Sequence, residues 1–145
     1  MTILPQFGNV FLTLIYFVVA LSIIVGVHEY GHYIVGRWSG IKAEVFSIGF
    51  GPVLLAREDK HGTVWQIAAI PFGGYVKFLG DANAASGKDG EAMEAMPAEQ
   101  LRHTMHGAPL WARSATVLAG PVFNFIFSIF VFAGLLLSLG MVAAP

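Results

Sequence analysis

No charged side chain occurs before Glu29 or after Arg113. Val10 to Val27 is 18 residues without a charge, and at the other end Ser114 to Pro145 is a further 32 uncharged residues. A helix crosses a bilayer in about 20 predominantly apolar residues. The first run, continued to Gly36, is long enough for one crossing; the second is ample for one tilted crossing and too short for two with a turn. With 56% hydrophobic and 12% charged residues and a mean hydropathy of +0.69, the chain lies far from the profile of a soluble globular domain. The fold class that follows is a membrane protein, mainly α-helical, with two transmembrane helices and an intervening cytoplasm-side or re-entrant β-hairpin region.

All eight Lys and Arg side chains lie between the two apolar runs. The positive-inside rule therefore puts residues 37–113 in the cytoplasm and both termini outside. Residues 1–9 carry no Lys or Arg, and no A-x-A-like cleavage site follows the first run, so that run reads as a retained anchor rather than a removable signal peptide. The organisation expected is an outward-facing N-terminus over 1–9, a first membrane helix over 10–37, a β region over 41–79, a cytoplasmic linker over 80–109 and a second membrane helix over 110–140. A net charge of −1 gives no reason to expect a nucleic-acid partner; the lipid bilayer is the partner the composition demands. The chain has no cysteine, so a bound metal would rest on histidine and carboxylate.

At the inner end of the first run stands His28-Glu29-Tyr30-Gly31-His32. Four residues of α-helix bring two side chains onto one face, one turn apart, so His28 and His32 can share a zinc ion. Glu29 is then in reach of a water on that metal and is the candidate general base. A carboxylate inside a membrane segment costs roughly 2.5–3.5 kcal/mol on insertion scales. The competing structural reading is a helix whose two histidines cap its wet end while Glu29 snorkels to the surface.

From Ile41 to Leu79 the pattern changes to short β-like pieces at Ala43–Ile48, Val53–Ala56, Thr63–Ile70 and Tyr75–Leu79, punctuated by glycine and proline. Asp59-Lys60-His61-Gly62 reads as the turn between the second and third, with His61 a polar turn residue. The apolar Ile67–Val76 stretch is too interrupted to span a bilayer and too apolar for a surface loop. It is read as a re-entrant hairpin beside the histidine helix, whose edge can add a substrate as a strand, or as a small cytoplasmic sheet resting on the headgroups. Asp81–Gln100 reads as a flexible or weakly helical linker, and His103 and His106 as a polar face near the membrane. Trp111 and Arg113 mark the cytoplasmic interface of the second helix. Within that helix Ala119-Gly120-Pro121-Val122-Phe123-Asn124 combines a close-approach glycine, a kinking proline and an amide, which serves either helix packing or a hydrogen bond to a neighbouring helix or substrate.

Four motifs in one order, His28–His32, Phe46–Pro52, Ile70–Lys77 and Ala119–Asn124, make the chain resemble the site-2 protease family of intramembrane zinc metallopeptidases over about residues 10–135. Within that family the likeness is greatest to the N-terminal part of the bacterial regulator-of-sigma-E proteases. The resemblance implies that His28 and His32 bind Zn2+, that Glu29 activates water, and that Ile67–Phe78 forms a re-entrant β element whose Ile70, Pro71, Phe72, Gly73, Gly74 and Tyr75 hold a substrate. It also implies that Asn124 supports the site or the substrate. The implied substrate is a single-span membrane protein, such as an anti-sigma factor, or a signal-peptide remnant, and the implied address is the bacterial inner membrane. The family takes its third zinc ligand from an aspartate on a later helix, and its nearest members carry PDZ domains before it. Neither is present here, so this chain is expected to be the N-terminal piece of a longer protein and incomplete as an enzyme on its own.

A scaffold or binding protein keeping a relic of the motif is the alternative from another class. A metal transporter is a third, for which two spans with one acidic group offer little pore lining.

Overall fold

The computed structural model describes residues 10–140. The N-terminal segment 1–9 and the last residues of the second apolar run lie outside them. The order of elements is α1 (Val10–Trp38), β1 (Ala43–Glu58), β2 (Val64–Phe78), two short helices α2 (Gly90–Glu94) and α3 (Ala98–Leu101), and α4 (Leu110–Leu139). Helices α1 and α4 are long and apolar enough to cross a membrane. Their outward faces are bare hydrocarbon, with Phe11, Phe125 and Phe130 each 73% exposed and Leu137 88%. A continuous apolar face of this kind is a cost in water and none in lipid.

Helix α1 ends where its sequence supplies a stop. Gly40 takes a left-handed φ of 84°, its N–H bonds to the Arg37 carbonyl at 3.1 Å, and the Ile41 N–H reaches back to the Gly36 carbonyl at 2.8 Å. This paired closure needs a glycine at the turn and an apolar residue after it. Ile41 meets the second requirement, being 1% exposed within the core.

The expectation of a mainly helical chain is corrected. Helix accounts for 52% of the described residues, because much of the segment between the long helices is two long antiparallel strands of 16 and 15 residues. The four short β pieces merge into these two. Left-handed φ values at Gly49 (91°), Gly51 (80°) and Gly73 (152°) let each strand bend without ending. As a result the first half of β1 lies between two parts of β2: Phe46 faces both Val76 and Trp65, and Ser47 faces both Tyr75 and Gln66.

The turn between the strands is organised by Asp59. Its carboxylate accepts from the backbone N–H groups of His61 (2.7 Å) and Thr63 (3.1 Å), from Trp65 Nε1 (3.0 Å) and from the Tyr33 hydroxyl (3.3 Å). Burial pushes this carboxyl upward, but the four donors outweigh it and hold it at about 2. Tyr33 thereby ties α1 to the turn. The core stands directly beneath, with Tyr33 against Trp65 (centroids 4.9 Å) and Phe46 stacked on Trp65 (4.4 Å), joined by Ile41, Val76, Phe78 and Ala112.

Residues 80–109 hold α2, capped by the Asp89 side chain, and α3. Backbone bonds fasten this segment to the strand ends, Lys42 N–H to the His103 carbonyl, Met105 N–H to the Leu79 carbonyl and Asp81 N–H to the Phe78 carbonyl, while Asp89 N–H to Gly80 closes a loop within it.

Candidate metal centre

His28 and His32 stand one turn apart on α1 with ring centroids 4.8 Å apart and planes at 79°. Helix periodicity brings them to one face; α4 aims them at one place. A Cβ built on Gly120 would overlap His32 Nε2 and lie 2.7 Å from His28 Nε2. Both Nε2 atoms therefore converge on the hollow this glycine leaves in α4. The helices approach closely enough because α1 has Gly31 at the crossing, where a Cβ would sit 2.6 Å from the Ala119 carbonyl oxygen and 2.9 Å from Phe123 Cγ.

The second nitrogen of each ring is also occupied. His32 Nδ1 lies 2.7 Å from the Thr116 carbonyl oxygen. A carbonyl only accepts, so the neutral ring carries its proton on Nδ1 and keeps the Nε2 lone pair for a cation. His28 Nδ1 lies 3.1 Å from the Asn124 side-chain amide. Thr116, Gly120 and Asn124 are spaced four apart and form one stripe of α4, facing His32, the hollow and His28 in turn.

Glu29 opens on a cleft of about 280 Å³, which it lines together with His32, Gly74, Tyr75, Val76 and Ser86 among others. Its carboxylate is within hydrogen-bonding reach of the Val76 backbone amide. Gly74 lets the strand come this close: a Cβ there would stand 3.2 Å from Glu29 Cγ and 2.7 Å from the Ser47 carbonyl oxygen. The Gly74–Phe78 stretch thus has β1 on one side and the glutamate on the other.

Of the residues singled out from sequence, His28, Glu29, His32, Gly74, Tyr75 and Asn124 come together. Ile70, Pro71, Phe72 and Gly73 do not line the cleft. They form the bend of β2, with Ile70 48% and Phe72 63% exposed. Thr116 carries no sequence signal, because it acts through a backbone carbonyl that every residue possesses.

Two imidazole nitrogens aimed into one hollow, with at least the His32 ring held by a carbonyl behind it, are a donor set that suits zinc. Among the described residues no third His, Cys, Asp or Glu joins them in a metal-binding group. Several acids of the middle segment are engaged elsewhere: Glu44 pairs with Lys77 at 3.3 Å, Asp59 holds the turn, Asp81 accepts from the Phe78 N–H and Asp89 caps α2. His103 and His106 go to different partners, the carbonyls of Gly40 (2.6 Å) and Ser86 (3.2 Å).

A family model described as peptidase family M50 matches residues 16–144. A provisionally named zinc metalloprotease of Agrobacterium fabrum is 53% identical over 130 residues, covering 89% of this chain and 34% of its own length. A similarly named protein of Mesorhizobium japonicum is 50% identical over 133 residues, covering 91% and 36%. Metalloprotease MmpA of Caulobacter vibrioides is 46% identical over 128 residues, covering 83% and 32%. The chain spans about a third of the length of these curated relatives.

Proposed function

This chain belongs to peptidase family M50, the site-2 proteases, and we propose that it is the portion of an intramembrane zinc endopeptidase that supplies two metal ligands and the general base. The observation that carries the reading is the convergence of His28 Nε2 and His32 Nε2 over Gly120, with Glu29 opening beside them onto the cleft under β2. In this reading α1 and α4 cross the bacterial inner membrane, residues 37–113 face the cytoplasm and 41–79 form the re-entrant element. The third ligand comes from an aspartate on a later helix.

Bound zinc would supply Lewis acidity, favouring ionisation of water and polarising a peptide carbonyl. His28 and His32 would hold it through Nε2, the atoms that converge over Gly120. Glu29 takes a proton from the attacking water as the new C–O bond forms, then passes it to the departing amide nitrogen as the C–N bond breaks. The strand at Gly74 and Tyr75 beside Glu29 is where an extended substrate segment would pair, and the bend from Ile70 to Gly73 extends that contact. A transmembrane helix must unwind to be cut, and pairing with such an edge replaces the hydrogen bonds lost on unwinding. The substrate class is a single-span membrane protein, including an anti-sigma factor or a signal-peptide remnant.

The test uses the full-length protein. Glu29→Gln is expected to abolish cleavage of a membrane substrate while zinc remains stoichiometric, and replacing His28 and His32 by Ala is expected to remove the metal. Unimpaired turnover in E29Q would rule out the base, and a wild-type protein devoid of zinc would favour a scaffold.

A further inference from the structure

We infer that Asn124 is a positioning residue for His28: its amide oxygen accepts the Nδ1–H of that imidazole and so keeps Nε2 free for the cation. The inference rests on the zinc-peptidase reading for the identity of that cation. A histidine binds metal through a nitrogen that carries no proton, so the group behind the other nitrogen decides whether the ring is ready. Thr116 settles this for His32, because a carbonyl oxygen only accepts. Eight residues on, along the same stripe of α4, Asn124 stands behind His28 with its amide nitrogen 3.1 Å from Nδ1.

With the NH2 group facing the ring, two things are unsatisfied. The amide oxygen is buried without a hydrogen-bond partner. The NH2 would also donate into the Nδ1 lone pair and force the ring proton onto Nε2, over the hollow at Gly120 that His32 Nε2 shares. A half-turn of the amide exchanges oxygen and nitrogen without moving the rest of the side chain. The oxygen then receives the Nδ1–H, both Nε2 lone pairs face Gly120, and the NH2 takes the outer place as a spare donor. The two imidazoles thereby share one tautomer, set by a backbone carbonyl at one end of the stripe and a side-chain amide at the other.

The test uses the full-length protein in lipid nanodiscs. In metal-free protein labelled with 15N-histidine, the His28 signals, assigned by their loss in His28→Gln, are expected to report the neutral tautomer protonated at Nδ1. Protonation at Nε2 would overturn the inference, and this measurement needs no change at Asn124. By chelator competition, Asn124→Leu is expected to weaken zinc binding roughly 10–100-fold, whereas Asn124→Asp, which keeps an acceptor there, should stay closer to wild type than to N124L. Wild-type affinity in N124L, or an N124D as weak as N124L, would also overturn it. Absence of zinc from the unaltered protein would instead refute the peptidase reading, with the tautomer still judging Asn124.

Discussion

His32 and Thr116 face each other across the α1–α4 crossing, the imidazole Nδ1–H donating to the threonine carbonyl at 2.7 Å. The hydroxyl of Thr116 is used separately, on the Ala112 carbonyl one turn back at 2.7 Å, and its methyl lies where a Cβ on Gly36 would come within 3.2 Å. The acceptor that orients His32 is therefore part of the α4 backbone, and no side-chain substitution deletes it. What can disturb it is the separation of the two helices, so under the proposed zinc site the glycines at the crossing are the residues to test.

Gly120→Ala is expected to cut zinc affinity at least tenfold, since the added methyl would overlap His32 Nε2 and crowd His28 Nε2. In an open part of a helix the same change is mildly stabilising, by up to about 1 kcal/mol. Gly134, on the same helix with nothing within 4 Å of a Cβ, is the control. Metal content of G120A and G134A in the full-length protein should separate sharply, with helix content alike in both.

At Gly31 an added side chain meets backbone rather than a ring, 2.6 Å from the Ala119 carbonyl oxygen. Gly31→Val is expected to force the helices apart and destabilise the protein by about 1–3 kcal/mol, as overpacking does. G31A should show a smaller effect of the same sign. Thermal unfolding in detergent measures both, and zinc affinity is expected to fall alongside.

Asp59 gives the hairpin a defined acid response. Its folded carboxyl, at about 2, lies below the ordinary 3.8. A lowered acid contributes stability that is fully present above the unfolded value and is lost as pH falls through the folded one, so hairpin stability should be flat near neutrality and decline from about pH 4 toward pH 2. Asp59→Asn is expected to weaken that decline and to lower stability at pH 7. Unfolding monitored through Trp65, whose indole N–H bonds this carboxylate, measures both.

Asp81 responds with the opposite sign. It is 3% exposed; burial raises its carboxyl above 3.8, outweighing the bonds from the Phe78 N–H and Ser86 and the charges of His106 and Lys77. A raised acid favours the folded state while protonated, so its contribution falls as pH rises from 3.8 through the raised value. Asp81→Asn keeps an oxygen for the Phe78 N–H, bonded at 3.0 Å, and removes the charge. Stability at pH 7 is expected to be unchanged or higher in D81N, with the difference shrinking on acidification in paired melts.

Features set by a few neighbouring residues were legible in the sequence. The Asp59–Gly62 turn was visible because aspartate and glycine act on their own backbone, and His28, Glu29 and His32 were visible because helix periodicity is local. The length of the strands was not. Glycine and proline usually end a strand, yet at Gly49, Gly51 and Gly73 the same freedom lets β1 and β2 turn and continue, which moved the chain away from a mainly helical composition.

Two uncharged runs long enough for a bilayer, and two imidazoles with a carboxylate on a single helical turn, follow from residue order alone, because hydropathy and helical pitch act between near neighbours. Where the imidazoles point was settled only when α4 packed on α1. The partners of their Nδ1 atoms lie 84 and 96 residues away along the chain, and the hollow between them exists because Gly120 has no side chain. Contacts at that separation are made by the close crossing at Gly31, and no stretch of sequence short enough to carry a pattern contains them.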